Sequence, residues 1–159
     1  MEIYIVAVGR VRERYLQDGI KEYLKRLRPY ARVDIIEGPE ERVPGNPTPG
    51  EEGRILALEG RSLLRLVPDG AYIIALDREG KMLSSQELAE HLAGLALQGR
   101  SQVAFVIGGT LGLSREVLDR AHFKLSFSRM TFPHQLMRLI LLEQLYRAFK
   151  IGRGEPYHR

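Results

Sequence analysis

The chain contains no cysteine and no long apolar run. Without cysteine it has no disulfides, thiolate zinc sites or cysteine nucleophile, which is compatible with a reducing cytoplasm. No segment approaches the ~18–20 apolar residues that a membrane-spanning helix needs. The apolar start, residues 1–8, lacks a basic leader and a cleavage site, so it predicts a strand rather than a signal peptide. We therefore expect a soluble cytoplasmic protein with no membrane partner.

Several catalytic motifs are missing as well. The four histidines lie far apart, with no His-x-x-x-His pair and no acidic residue at ligand spacing, so no metal is expected. They are His91, His122, His134 and His158. The chain has neither the Gly-x-Ser-x-Gly elbow of α/β-hydrolases nor the Gly-Lys-Ser/Thr of a P-loop. Asp77 follows a predicted buried strand and is expected to form a turn rather than to act as a catalytic acid.

The composition predicts one domain with an uneven distribution of positive charge. The 159 residues are 44% hydrophobic, enough for the core of a single domain, 1–159, without disulfide or metal. The net charge is only +4, but residues 1–32 hold eight Lys or Arg against four acids, and residues 124–159 hold seven against two. Two basic ends favour an anionic partner such as nucleic acid. A solubilising surface explains them equally well.

Strand and helix patterns alternate along the chain. Strands are predicted at 2–8, 32–37, 71–76, 103–107 and 122–127, and helices at 13–28, 51–67, 84–98, 114–120 and 133–149. Residues 38–50 carry four of the eight prolines and three glycines, which indicates a long loop within the domain. The alternation is typical of an α/β fold in which helices cover both faces of a parallel sheet.

The last predicted helix is apolar nearly all round. Six of the seven residues at 136–142 are apolar, and its polar residues do not gather on one face. Such a helix must be covered on more than one side, which favours a homodimer in a domain of this size. A deeply buried central helix is the alternative.

Three segments are candidates for a functional site. Residues 108–112, Gly-Gly-Thr-Leu-Gly, follow a buried strand and precede a helix, an arrangement that suits close approach of a ligand but also a plain tight turn. Residues 125–134 run from a strand to a helix through small hydroxyl residues and two phenylalanines. The tail, residues 152–159, ends in Pro-Tyr-His-Arg, side chains that can hold an RNA base and phosphate. Taken singly, each segment also has an ordinary structural explanation.

Read together, the segments resemble the RlmH (YbeA) family of bacterial SPOUT-class methyltransferases. The motifs are Phe-Val-Ile-Gly-Gly-x-x-Gly-Leu at 105–113, Leu-Ser-Phe-Ser-x-Met-Thr-Phe-Pro-His at 125–134, and Glu-Gln-Leu-Tyr-Arg-Ala-Phe-Lys-Ile at 143–151, followed by the terminal Pro-Tyr-His-Arg. The opening Ile-Val-Ala-Val-Gly and Lys81-Met-Leu-Ser-Ser fit as well. The resemblance runs from Met1 to Arg159. It implies methylation of N3 of a pseudouridine in large-subunit ribosomal RNA.

The same resemblance implies a cofactor, a fold and a partner. The fold would be a SPOUT-type parallel sheet with a C-terminal deep trefoil knot, which is rare among proteins. S-adenosyl-L-methionine would be held in the knot by Leu76, Gly108, Phe127, Ser128, Arg129, Met130, Thr131 and Phe132. Gly109 and Gly112 would shape the same wall, and Arg129 is expected to contribute through its backbone. Dimerisation through the knot would bring four residues to the RNA side of the site: Arg147, Tyr157, His158 and Arg159.

The implied chemistry needs little more than positioning, because the methyl group of the cofactor is already activated. N3 of pseudouridine must lose a proton, and we hypothesise that His158 accepts it or that Arg159 stabilises the developing anion. Assembled ribosomal particles are expected to be better substrates than naked RNA. Two alternatives are a non-catalytic ribosome- or RNA-binding factor with the same fold and a nucleotide-binding α/β protein. The cofactor loops argue against the first, and the missing dinucleotide fingerprint argues against the second.

Overall fold

The computed structural model describes residues 1–157, so the predicted catalytic residues His158 and Arg159 lie outside the described residues. Strands and helices alternate along the described chain. In order they are β1 Glu2–Val8, α1 Arg14–Leu27, β2 Arg32–Gly38, α2 Pro49–Leu66, β3 Tyr72–Met82, α3 Ser85–Leu97, β4 Gln102–Ile107, α4 Arg115–Arg120, β5 Phe123–Ser126 and α5 His134–Gly152. Every predicted strand and helix is present.

The five strands form one parallel sheet in the order β2-β1-β4-β3-β5. β1 pairs in register with β2 on one side, Glu2 opposite Arg32, and with β4 on the other, Glu2 opposite Gln102. All five carboxyl ends therefore point to the same edge of the sheet, where parallel sheets bind ligands. The predicted α/β class with a covered parallel sheet is confirmed.

Alternate residues of β1 enter two apolar layers. Ile3 and Ile5 are fully buried in a core that α1, α3 and α5 share, whereas Val6 and Val8 are buried on the other side with residues of α2 and α4. Neighbouring side chains of a strand point to opposite faces, so one strand serves both cores. The sheet is covered on both faces, as its apolar strands require.

Three boundaries differ from the predicted ones by two residues or more, and the others agree within one residue. β3 runs on to Met82 instead of ending at 76, because the chain leaves its partner after Leu76 and pairs with it again from Lys81. The last two residues of the predicted loop 38–50 belong to α2. The helix begins earlier because Thr48 forms a capping box with Glu51 and a proline stands in the first turn. α5 ends at residue 152 rather than 149.

α5 lies between α1 and α3 on one face of the sheet. Its buried residues include Leu141, Leu142, Leu145 and Ala148. Cover within the single chain therefore accounts for much of its all-round apolar character, as in the alternative of a buried central helix. The homodimer stays a prediction. Among residues 1–157, no helix combines the length and the apolarity needed to cross a bilayer.

Candidate active site

An open cavity of about 640 Å³ lies at the carboxyl edge of the sheet, where β4 and β5 end, β3 leaves its pairing with β5, and α5 begins. Its walls come from residues 76–78, residues 107–113, most of residues 125–134, and Met137. Three separate stretches of the chain therefore meet around one space. The volume falls in the range of about 300–1,000 Å³ that small-molecule sites occupy.

The first wall is a tight turn of glycines after β4. The backbone N–H of Gly112 donates a 3.0 Å hydrogen bond to the carbonyl oxygen of Gly109, and Gly112 has a φ of +89°, a left-handed conformation that favours glycine. A Cβ on Gly108 would stand 2.5 Å from the carbonyl carbon of Gly112 and 3.1 Å from its Cα. Backbone atoms of Gly112 fill the space that a side chain at position 108 would need, so any side chain there requires a shift of the loop.

The second wall is the loop between β5 and α5. Ser126 donates a 3.1 Å hydrogen bond to the carbonyl oxygen of Ser128, and the hydroxyl of Ser128 accepts one of 2.9 Å from the N–H of Met130. Thr131 accepts a 2.8 Å hydrogen bond from the guanidinium of Arg78, which ties this loop to the third wall. These hydrogen bonds order the loop at the rim of the cavity, where Met130 is 72% exposed.

The third wall is the excursion of β3 between its two pairings with β5. Leu125 pairs with Leu76 before the excursion and with Lys81 after it. A Cβ on Gly80 would lie 2.6 Å from the carbonyl oxygen of Lys124, so the excursion packs directly against the β5 backbone. It places Leu76 and the two charged residues that follow it at the edge of the cavity.

Two titratable groups adjoin the cavity. Nε2 of His134, a lining residue, lies 3.6 Å from Oε2 of Glu40 and has no hydrogen-bond partner among residues 1–157. Burial lowers the pKa of His134 although Glu40 opposes this, so the imidazole is neutral at pH 7. Glu59 is only 3% exposed and accepts a 3.0 Å hydrogen bond from the N–H of Glu41. Burial raises the pKa of Glu59, whose Oε1 lies against Gly109.

A second polar cluster occupies the last turns of α5. Oε2 of Glu143 lies 2.6 Å from a guanidinium nitrogen of Arg147 and accepts a 3.0 Å hydrogen bond from the hydroxyl of Tyr157. The guanidinium of Arg147 also stands 4.9 Å from the centre of the Tyr157 ring. Burial and hydrogen bonds to Tyr23 and Glu143 raise the pKa of Tyr157, which keeps the phenol neutral. The structure thus brings the predicted residues Arg147 and Tyr157 together and fixes both on one carboxylate.

This cluster and the cavity lie at opposite ends of one helix. Met137, which lines the cavity, and Arg147 are ten positions apart on α5, which corresponds to about 15 Å at 1.5 Å per residue. Within a single chain, the structure therefore keeps Arg147 and Tyr157 apart from the predicted cofactor residues; the other two predicted RNA-side residues lie outside the described residues.

Comparison with known proteins identifies the family. Residues 1–158 match the family described as "Predicted SPOUT methyltransferase". A protein of Moorella thermoacetica named ribosomal RNA large subunit methyltransferase H is 66% identical over 100% of this chain and 99% of its own length. The chain belongs to the SPOUT methyltransferase family. A protein of the same name from Carboxydothermus hydrogenoformans is 59% identical over the full length of both chains, which confirms the resemblance to the RlmH family.

Solved structures agree on the SPOUT fold. A probable methylase family protein from Haemophilus influenzae superposes with a TM-score of 0.54 at 14% identity, covering 99% of this chain and 70% of that one. A probable methyltransferase from Bordetella pertussis also gives 0.54, at 13% identity, with coverage of 92% and 95%. At this identity the likeness concerns the fold alone. The SPOUT-type α/β fold is thereby confirmed, and the deep trefoil knot is characteristic of it.

The predicted cofactor residues of this SPOUT domain lie mostly around one cavity. Those among its lining residues are Leu76, Gly108, Phe127, Ser128, Met130, Thr131 and Phe132. Arg129 is exposed and is not one of the lining residues, in line with the expectation that its side chain points away. Their role in binding a cofactor stays a prediction.

Sequence reasoning missed several lining residues of the SPOUT cavity. Asp77 lies within β3, where its Oδ1 accepts a 3.4 Å hydrogen bond from the N–H of Glu79, and it lines the cavity; its predicted role in a turn stays a prediction. Arg78 lines the cavity outside every predicted segment, and Thr110 and His134 line it within candidate segments without having been predicted as cofactor residues. His134 ends the second motif, and its place at the start of α5 was the one signal that pointed to it. Nothing in the sequence pairs it with Glu40.

Proposed function

We propose that this protein is an S-adenosyl-L-methionine-dependent methyltransferase that modifies N3 of a pseudouridine in large-subunit ribosomal RNA. The observation that carries the proposal is the cavity at residues 76–78, 107–113 and 125–134, where the ends of β4 and β5 meet the excursion of β3. The names of the relatives at 66% and 59% identity support large-subunit ribosomal RNA as the substrate. The choice of N3 of pseudouridine rests on the family resemblance.

The residues around the cavity fit this cofactor. Gly108, Gly109 and Gly112 line the cavity without side chains, so a flat heterocycle would meet the backbone of this turn, and the rings of Phe127 and Phe132 supply apolar surface. The neutral imidazole of His134 does not repel the positively charged sulfonium of the cofactor, whereas a protonated imidazole would. Asp77 and Arg78 are the two oppositely charged lining residues: the Arg78 guanidinium is engaged by Thr131, and the Asp77 carboxylate is an acceptor of charge opposite to the sulfonium.

The chain's own task in the reaction is to position the nucleotide and manage one proton. S-adenosyl-L-methionine, when bound, supplies a methyl group that is already activated for in-line displacement. The cavity walls hold the acceptor nitrogen in line with that group. His158 then accepts the N3 proton, or Arg159 stabilises the anion that develops as the proton leaves.

We also propose that the active form is a homodimer. In the cluster of Glu143, Arg147 and Tyr157, Arg147 stands about 15 Å along α5 from the cavity residue Met137 of its own chain. A second copy of the chain supplies this cluster, with His158 and Arg159, to the RNA side of the cavity. The substrate is the ribosomal particle in the cytoplasm, and naked RNA is methylated more slowly.

The proposal is tested by incubating the protein with labelled S-adenosyl-L-methionine and ribosomal particles that lack the native modification. Label recovered as N3-methylpseudouridine is the expected result. If particles are bound but no label is transferred, the non-catalytic RNA-binding factor replaces the enzyme. Equal rates on particles and on naked RNA would contradict the preference for assembled particles.

The role of the tail has its own test. His158→Ala is expected to lower turnover by about 10²-fold or more if the imidazole is the general base. Binding of S-adenosylhomocysteine, measured by calorimetry, should stay as in the parent protein. Turnover that does not change in His158→Ala would exclude His158 as the base and leave Arg159 to be examined in the same way.

A further inference from the structure

A second concave surface, of about 360 Å³, lies between α1 and the edge strand β2. We name it the α1 groove. Its apolar part is formed by Val11, Ile20 and Ile35, and two exposed cationic residues, Arg10 and Lys21, also line it. Aliphatic surface with a cationic border suits a sugar or base flanked by phosphates.

The α1 groove carries a net positive charge, because its one carboxylate is paired with a buried arginine and two further cations have no such partner among the described residues. The guanidinium of Arg138 is 1% exposed, pairs with Glu37 and donates a 3.1 Å hydrogen bond to the carbonyl oxygen of Gly9. This pair neutralises Glu37, the one carboxylate among the groove residues. Neither Arg10 nor Lys21 forms an ion pair with a residue of 1–157. Two unneutralised cations therefore remain at the surface.

The α1 groove adjoins the candidate active site through the first turn of α5. Arg138 lines the groove, and His134, four positions earlier, lines the cavity, which is a rise of about 6 Å along the helix. The N–H of Arg12 donates a 3.3 Å hydrogen bond to the side chain of Gln135, so the segment that carries Arg10 is attached to the same turn.

We propose that the α1 groove binds the RNA strand next to the methylated nucleotide, with phosphates on Arg10 and Lys21 and a sugar or base on the aliphatic surface. The inference rests on the proposed function, because it takes RNA as the substrate. It assigns the positive charge near the amino terminus to a defined site instead of to general solubility.

The test compares two double variants that each remove two positive charges. Arg10→Gln with Lys21→Gln alters the groove, whereas Arg54→Gln with Arg61→Gln alters exposed residues of α2, on the opposite face of the sheet. Binding to large ribosomal subunits that lack the modification is measured by co-sedimentation at several salt concentrations. Each lost contact with single-stranded RNA lowers the slope of log K against log salt by about 0.7.

The groove variant is expected to lose about 1.4 from that slope and to bind about tenfold more weakly at low salt. The α2 variant should bind as the parent does, and Arg10→Lys with Lys21→Arg should restore the slope. Equal weakening of both double variants, or an unchanged slope in the groove variant, would overturn the proposal. Sedimentation does not depend on methyl transfer. A parent protein that binds subunits through the groove but transfers no methyl group would contradict the proposed function alone.

Discussion

The geometry of the glycine turn after β4 predicts that Gly108→Ala weakens ligand binding in the cavity. The new Cβ would stand 2.5 Å from the carbonyl carbon of Gly112, where nonbonded carbons normally stay at about 3.5 Å or more. The loop must therefore move by about 1 Å, and both neighbours are backbone atoms that cannot turn aside. A displacement of about 1 Å in an active site costs about 10²-fold in rate, and a ligand that is held by the same turn should lose affinity on the same order. We expect S-adenosylhomocysteine to bind about 100-fold more weakly.

Gly94→Ala is the matched control, because a Cβ on Gly94 in α3 meets nothing within 4 Å. It should bind the ligand as the parent does and gain about 0.5–1 kcal/mol of unfolding free energy, since alanine favours helix. Calorimetric titration gives the affinities, and urea unfolding gives the stabilities. If Gly108→Ala binds within a few-fold of the parent while remaining folded, the turn does not contact the ligand and the assignment of the cavity is wrong.

Three further predictions concern the buried polar groups. Because burial lowers the pKa of His134, the unfolded chain takes up this proton first as the pH falls below about 6.5. His134→Asn should therefore lose less stability than the parent between pH 7 and 5.5, and equal losses in urea unfolding would count against this. Arg138→Met should cost about 1–2 kcal/mol through the lost hydrogen bonds to Glu37 and to the carbonyl oxygen of Gly9, because the Glu37 carboxylate that remains is 38% exposed and stays hydrated. Glu37→Gln in the same chain should recover part of this cost, and full additivity in the double-mutant cycle would refute the coupling. Glu143→Gln should release Arg147 and lower kcat/KM on ribosomal particles about tenfold with unchanged cofactor affinity, whereas unchanged kcat/KM would remove this cluster from the RNA side.

The sequence was informative where apolar periodicity or a local cap decides the outcome. β1 was predicted with its observed bounds, and the serine at 114 caps α4 as expected, accepting a hydrogen bond from the N–H of Val117. Most of the cavity wall was also predicted, but through the family motifs at 105–113 and 125–134. Singly, those segments allowed an ordinary turn and a capped loop.

Polar groups that depend on distant partners could not be predicted. Arg138 is fully buried because Glu37, 101 positions earlier in the chain, meets it across the edge of the sheet. Periodicity reports which positions are apolar and carries no signal for a charged residue whose partner is remote in sequence. The same holds for His134 with Glu40, and for Glu59 behind the glycine turn.

The length of α5 has a consequence for how this chain can change in evolution. The helix has 19 residues and carries cavity residues in its first turns and the Glu143 cluster in its later ones. One inserted residue would rotate every later side chain by about 100° around the helix axis and shift it by about 1.5 Å along that axis. Arg147, and Tyr157 beyond the helix, would then face a different direction. A substitution in α5 changes the contacts of one side chain, whereas an insertion or deletion reorients every side chain that follows it. We therefore expect length variation among related sequences to fall in segments such as residues 39–48, where no helix fixes the spacing of two functional ends.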